Sequence, residues 1–143
     1  MKSNYPAVHG GGIAVVFDGP HRGNGVFGES SSTKISDIRD GKSMTFLLGE
    51  RRMTESDYCG AVWMRSVNRA GNGGDGTSVA GVCDRLTMPN DARNPDAFSS
   101  PHKGGAQFVM VDGSVRFVQN EIDPKVYERL ARIDDERTVR QSR

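Results

Sequence analysis

Two apolar-rich runs, AQFVMV and SVRFVQ, meet at the dipeptide Asp112-Gly113. An Asp-Gly pair between alternating runs is the strongest short-range signal for a β-hairpin, because the central positions of a type I′ turn need positive φ. The pattern predicts that Val111 and Ser114 flank a two-residue turn, with Met110 opposite Val115 and Phe108 opposite Phe117. Side chains alternate between faces, so these four form the buried face. Gln107, Val109, Arg116 and Val118 form a mixed, partly wet face.

The same geometry separates two residues that look chemically related. His102 stands in FSSPHKGGA, and a six-residue strand at ~3.4 Å per residue carries the chain roughly 17–20 Å from its start to the turn. His102 lies further back still, before Gly104 and Gly105. His102 and Asp112 are therefore expected neither to share a metal ion nor to act as one acid/base pair. Asp112 reads as a turn residue. His102 reads as structural, its ring held by a neighbouring backbone group.

Upstream, His9-Gly10-Gly11-Gly12 leads into IAVVF at 13–17, which reads as a short buried strand. In ISDIRDGKS, Ile35 and Ile38 have helical spacing that stops at Asp40-Gly41. TFLLGER (45–51) and AVWMRSV (61–67) read as strands, the second with Trp63 as a core anchor. Residues 68–101 lack periodicity and read as an irregular surface excursion. After the hairpin, Asp123-Pro124 opens a helix, with Asp as N-cap and Pro at the first helical position. Val126, Tyr127, Leu130 and Ile133 form its apolar stripe. Residues 134–143 form a charged tail, with Val139 as a candidate for one last short strand. The whole reads as a single α+β domain over 1–143, with a mainly antiparallel sheet, a late Asp-Gly hairpin and a C-terminal helix.

Several chemical motifs come near to matching and fall short. Gly23–Gly28 fits G-x-G-x-x-G, but ESSSTK follows where a dinucleotide site needs a helix N-terminus, so it reads as a loop. Ser99, Ser100 and His102 are adjacent in a loop, which is weak support for a hydrolase. Glu50, Glu55 and Asp57 are interleaved with Arg51 and Arg52 and read as a solvated ion-pair surface. Asp75 and Asp84 are candidates for a calcium loop, at spacings unlike an EF-hand. No catalytic, cofactor-binding or metal-ligating residue is assigned, and the expectation is a protein that is not an enzyme.

A net charge of +1 gives no reason to expect nucleic acid as a partner. No stretch approaches the ~20 apolar residues that cross a bilayer, and no signal peptide stands at Met1. Cys59 and Cys83 are the only cysteines. Their separation fits no zinc pattern. They are either a candidate disulfide, if the domain is exported, or two buried thiols. A bridge closing this loop would stabilise by about 3 kcal/mol in the chain-entropy model.

Taken in order, the motifs resemble a bacterial prepilin-like family with an "H-x9-DG" signature. SNYPAV looks like its "NY-x-G" block. ISDIRDGKSMTFLLGER looks like "I-x-D-I-x-D-G-T-S-N-T-I-x-x-G-E", with Lys42 and Met44 as departures. FSSPHKGGAQFVMVDGSVRFV looks like "F-x-S-x-H-x-G-G-A-N-F-x-x-x-D-G-S-V-R-F", with Gln107 in place of Asn. His102, Gly104, Gly105, Asp112 and Gly113 are thereby structural motif residues. LARIDDERTV looks like the closing "L-x-x-x-x-G-G-E-V" without its glycines.

Such proteins begin with a prepilin cleavage site and a long apolar helix, which this chain lacks. The resemblance implies a pilin-like C-terminal globular domain, soluble and monomeric as it stands. Its full-length form would sit in the inner membrane and periplasm or at the cell surface. It implies a structural or surface-interaction role in a type II secretion or type IV pilus-like system, with other pilin-like or secretion-system subunits as partners. Membrane contact would come only through the missing helix. The alternative is an exported small-ligand or glycan-binding module using Trp63 and residues 68–101, with a hydrolase a distant third.

Overall fold

The computed structural model describes residues 2–12, 23–28, 31–52, 61–62, 80–83, 85, 87–91 and 97–134. Its elements are β1 (Lys2–Ser3), β2 (Ala7–Gly11), β3 (Phe46–Gly49), β4 (Ala61–Val62), β5 (Ala80–Cys83), β6 (Gly105–Met110), β7 (Val115–Gln119) and helix α1 (Pro124–Leu130). Single 3-10 turns cover Ile35–Asp37 and Lys42–Met44. β1 and β4 pair as a two-stranded antiparallel ribbon. The main sheet has the order β5-β2-β3-β6-β7. Its β2–β3, β3–β6 and β6–β7 pairings are antiparallel, and β5 joins the outside of β2 in parallel. This is an α+β domain, as its sequence predicts.

The core follows from alternation in β6. Ala106, Phe108 and Met110 are fully buried, while Gln107 between them faces solvent. Phe108 stacks on Phe46 of β3 with ring centroids 4.2 Å apart, and Phe98 meets it edge-on at 4.9 Å. Tyr127 of α1 closes the cluster edge-on to Phe46 and Phe108, at 6.1 and 5.9 Å. Each such ring contributes about 1.5–3 kcal/mol by leaving water, and the stacked and edge-on geometries suit the ring quadrupoles.

The helix is set by its first turn. The Asp123 carboxylate accepts from the backbone N–H groups of Lys125 (2.9 Å) and Val126 (3.1 Å), with Pro124 at the first position. These bonds satisfy N–H groups that have no partner within the helix. Of the predicted stripe, Tyr127 is buried and Leu130 packs against the core, but Val126 is largely exposed. Ile133 lies beyond the helix, which ends too early for the stripe to continue. Helix and sheet approach closely at Gly11, where a Cβ would strike the Glu128 carbonyl oxygen. Arg132 Nε donates to the Gly11 carbonyl at 3.1 Å, and the Arg132 guanidinium pairs with Glu128 at 3.5 Å.

The hairpin departs from expectation by one residue. Ala106 pairs with Val118, Phe108 with Arg116 and Val109 with Val115. The loop therefore has three residues, Val111-Asp112-Gly113. Gly113 N–H donates to the Met110 carbonyl (2.9 Å), and Met110 N–H donates to the Ser114 carbonyl (2.8 Å). Gly113 sits at φ 85°, as in a type I turn followed by a glycine bulge. A one-residue change in the loop moves every side chain of the second strand to the other face. Val118 is thus buried, whereas Val115 (60% exposed) and Phe117 (49%) face outward. The expected burial of Phe108 and Met110 holds, and that of Val115 and Phe117 is corrected.

Residues 68–101 are likewise not all surface. They supply β5 to the sheet, and Cys83, Ala97 and Phe98 to the buried interior. At the other end of the chain, Asp134 is buried and lies 3.7 Å from the Arg39 guanidinium. The strands read at 13–17 and across 63–67, Trp63, Cys59, Glu55, Asp57, Asp75, Asp84 and the tail after 134 lie outside the described residues. Cys83 is buried at the end of β5.

Candidate functional site

The histidine loop, residues 97–104 around His102, leads into the start of β6, where three segments are stitched together. Glu50 follows β3 directly. Its N–H donates to the Gln107 carbonyl (2.8 Å), and its Oε2 accepts from Gln107 N–H (3.2 Å). Its other oxygen, Oε1, lies 3.9 Å from His102 Nε2. Glu50 is buried, and the His102 side chain is 55% exposed. The expectation of a ring fixed by a backbone group is corrected: the neighbour is a carboxylate, brought there from β3. The expectation that Glu50 and Arg51 belong to a solvated surface is corrected too. Arg51 is 1% exposed, with its guanidinium carbon 5.8 Å from the Phe98 ring centroid. Such a cation over an aromatic face is attracted by the ring quadrupole.

The loop before His102 is bonded on both sides. Ser99 N–H donates to the Glu50 carbonyl (2.9 Å), and Arg52 N–H donates to the Ser99 carbonyl (2.9 Å) and to Ser99 Oγ (3.1 Å). Ser100 Oγ accepts from the backbone N–H of His102 (3.1 Å). Both serine hydroxyls are thus tied to backbone amides. Gly49 lets this loop close, since a Cβ there would collide with the Phe98 ring.

Asn90 is the residue the sequence reading missed. Its Oδ1 accepts from Ser100 N–H (2.7 Å), and its Nδ2 donates to the Gly105 carbonyl (3.1 Å) and to Asn120 Oδ1 (3.0 Å). One side chain so joins the histidine loop, the start of β6 and the end of β7. Asn90 has φ 61°, and Asp91 N–H donates back to the Met88 carbonyl (3.1 Å). Pro89 followed by Asn at a positive-φ position is a recognisable turn signal. The Pro-Asn dipeptide marks the turn; nothing local marks the residues it will bind.

His102 and Asp112 stand before and after β6, at opposite ends of that strand. The Asp112 carboxylate accepts from Ser114 Oγ (2.6 Å) and Ser114 N–H (2.9 Å), which hold its pKa below the ordinary carboxylate value. Its N–H donates to the Lys42 carbonyl (3.1 Å), and Val111 N–H to the Thr45 carbonyl (2.9 Å), so the hairpin tip is fastened to the chain entering β3. The five motif residues therefore serve two ends of one hairpin. Among the described residues, no three His, Cys, Asp or Glu side chains are grouped to hold a metal ion.

The G-x-G-x-x-G run has a packing explanation. Gly23 has φ 67°, and a Cβ on Gly25 would come within 2.8 Å of the backbone of His9 and Gly10. Asn24 Oδ1 accepts from Gly11 N–H (2.8 Å), and its Nδ2 donates to the Gly11 carbonyl (2.9 Å), as a neighbouring strand would. The run covers part of β2.

A family model described as "Protein of unknown function (DUF1559)" matches residues 3–125. No curated protein and no solved structure matches the chain.

Proposed function

The chain belongs to the DUF1559 family, and from that membership we propose that it is the globular domain of a prepilin-like protein. Its role is structural or surface-interacting, in a type II secretion or type IV pilus-like system. Its partners are other pilin-like or secretion-system subunits. The observation that carries this reading is the use to which the motif residues are put. His102, Gly104, Gly105, Asp112 and Gly113 secure a hairpin at both ends, and the hydroxyls and amides around them are engaged with one another. A domain built this way offers a rigid surface. In the described residues no helix is long and apolar enough to cross a membrane.

The test is envelope fractionation of the full-length product, including any coding sequence upstream of Met1, followed by cross-linking in cells. Recovery with the inner membrane or surface, and cross-links to pilin-like subunits, are expected. A product found wholly in the cytoplasm and cross-linked to none would overturn the reading.

A further inference from the structure

Among the described residues, β7 is the last strand of the main sheet. The close pair Met110–Ser114 and the Asn120 N–H to Gly104 carbonyl bond bracket the β6–β7 ladder. In an antiparallel pair hydrogen-bonded positions alternate. Ala106–Val118 and Phe108–Arg116 are then the bonded pairs, and the N–H and C=O groups of Val115 and Phe117 point away from the sheet. Among the described residues none bonds to them. This edge is also apolar: Val115 and Phe117 lie exposed on the outer face.

Arg116, between them, lies on the opposite face. Its two terminal nitrogens each sit 3.8 Å from the Met44 sulfur, a weak acceptor. No carboxylate among the described residues lies within ion-pair distance of it; the Asp112 carboxylate acts on it only from further off. An edge strand with a cation outside any close ion pair resists pairing with its own copy. Two β7 strands paired about Phe117 would make the two Arg116 side chains diagonal neighbours on one face, where like charges repel. The same cation favours a strand that brings a carboxylate opposite it, with apolar residues on either side to meet Val115 and Phe117.

We propose that the β7 edge is a docking site for an extended segment of a protein partner that carries an acidic residue between two apolar ones. Backbone hydrogen bonds to Val115 and Phe117 hold the segment, and Arg116 selects it. The inference goes beyond the surface-domain role and does not depend on the secretion or pilus assignment.

The probes are the peptide Thr-Thr-Val-Glu-Val-Thr-Thr, fluorescein-labelled, and its counterpart with Lys in place of Glu. Binding to the whole chain is read by fluorescence anisotropy and by amide hydrogen exchange at Val115 and Phe117. The Glu peptide should bind about tenfold more tightly than the Lys peptide, as for an interfacial charge pair. Arg116→Glu should reverse that order, and bound peptide should slow exchange at both amides. Arg116 is exposed, and near-ultraviolet circular dichroism verifies that the variant is folded. Equal binding of the two peptides, no binding of either, or an unchanged preference in Arg116→Glu would overturn the proposal. So would light scattering that shows the chain dimerising through β7 and excluding peptide, for the occupant would then be a second copy.

Discussion

Gly113 shows what a single backbone angle demands. Its φ of 85° lies in the left-handed region, and nothing stands within 4 Å of where a Cβ would be. The difficulty for a larger residue is therefore conformational and not one of space. Gly113→Val should destabilise by about 1–3 kcal/mol, since a β-branched side chain resists positive φ. Urea unfolding measures this, and an unchanged midpoint would contradict it. Asp112, beside it, carries a pH dependence of definite sign. The hydroxyl and N–H of Ser114 bond to the charged carboxylate and so lower its pKa from the ordinary 3.8. A depressed carboxylate contributes stability that is fully present above the unfolded pKa and is lost as pH falls through the folded value. Ser114→Ala should move the Asp112 titration up toward 3.8, as followed by carboxyl carbon NMR. A titration that stays in place would mean the hydroxyl bond is not the main cause.

Among the elements, the contact of α1 with β2 depends on one missing side chain. Gly11→Ala would drive a methyl group into the Glu128 carbonyl and separate Tyr127 from Phe46 and Phe108. Because the obstacle is backbone, the helix must shift as a unit. A loss of about 3 kcal/mol is expected, with hydrogen-exchange protection falling in α1 more than in β6 and β7. Protection lost evenly across all three would mean that the helix and hairpin open together. The hairpin teaches a complementary lesson. Asp112-Gly113 locates the reversal in the sequence, yet the same dipeptide serves a two-residue loop or a three-residue one. Thr45 and Lys42, which accept from Val111 and Asp112, lie in another segment. They help to hold the longer loop, and with it the face of β7 that is buried.

For the whole molecule, contacts join distant parts of the chain. Ala7 pairs with Ala80, Phe46 with Met110, and α1 lies against β2. Loop closure must precede most of the stabilising contacts, so folding should take milliseconds to seconds, as for other topologies rich in non-local pairing. Stopped-flow refolding would show this; a main phase completed in microseconds would contradict it. The sequence by itself determined the features that neighbouring residues control. These are the α+β class, the reversal at Asp112-Gly113, the Asp123-Pro124 helix start, and the ordered blocks that mark the family. Only the tertiary structure decided that Val115 and Phe117 face outward, that Glu50 and Arg51 are buried, and that Asn90 joins three segments. It also decided that residues 68–101 send a parallel strand into the sheet. In each case the deciding partners lie ten or more residues away, and local preference carries no information about which distant group will fill a given contact.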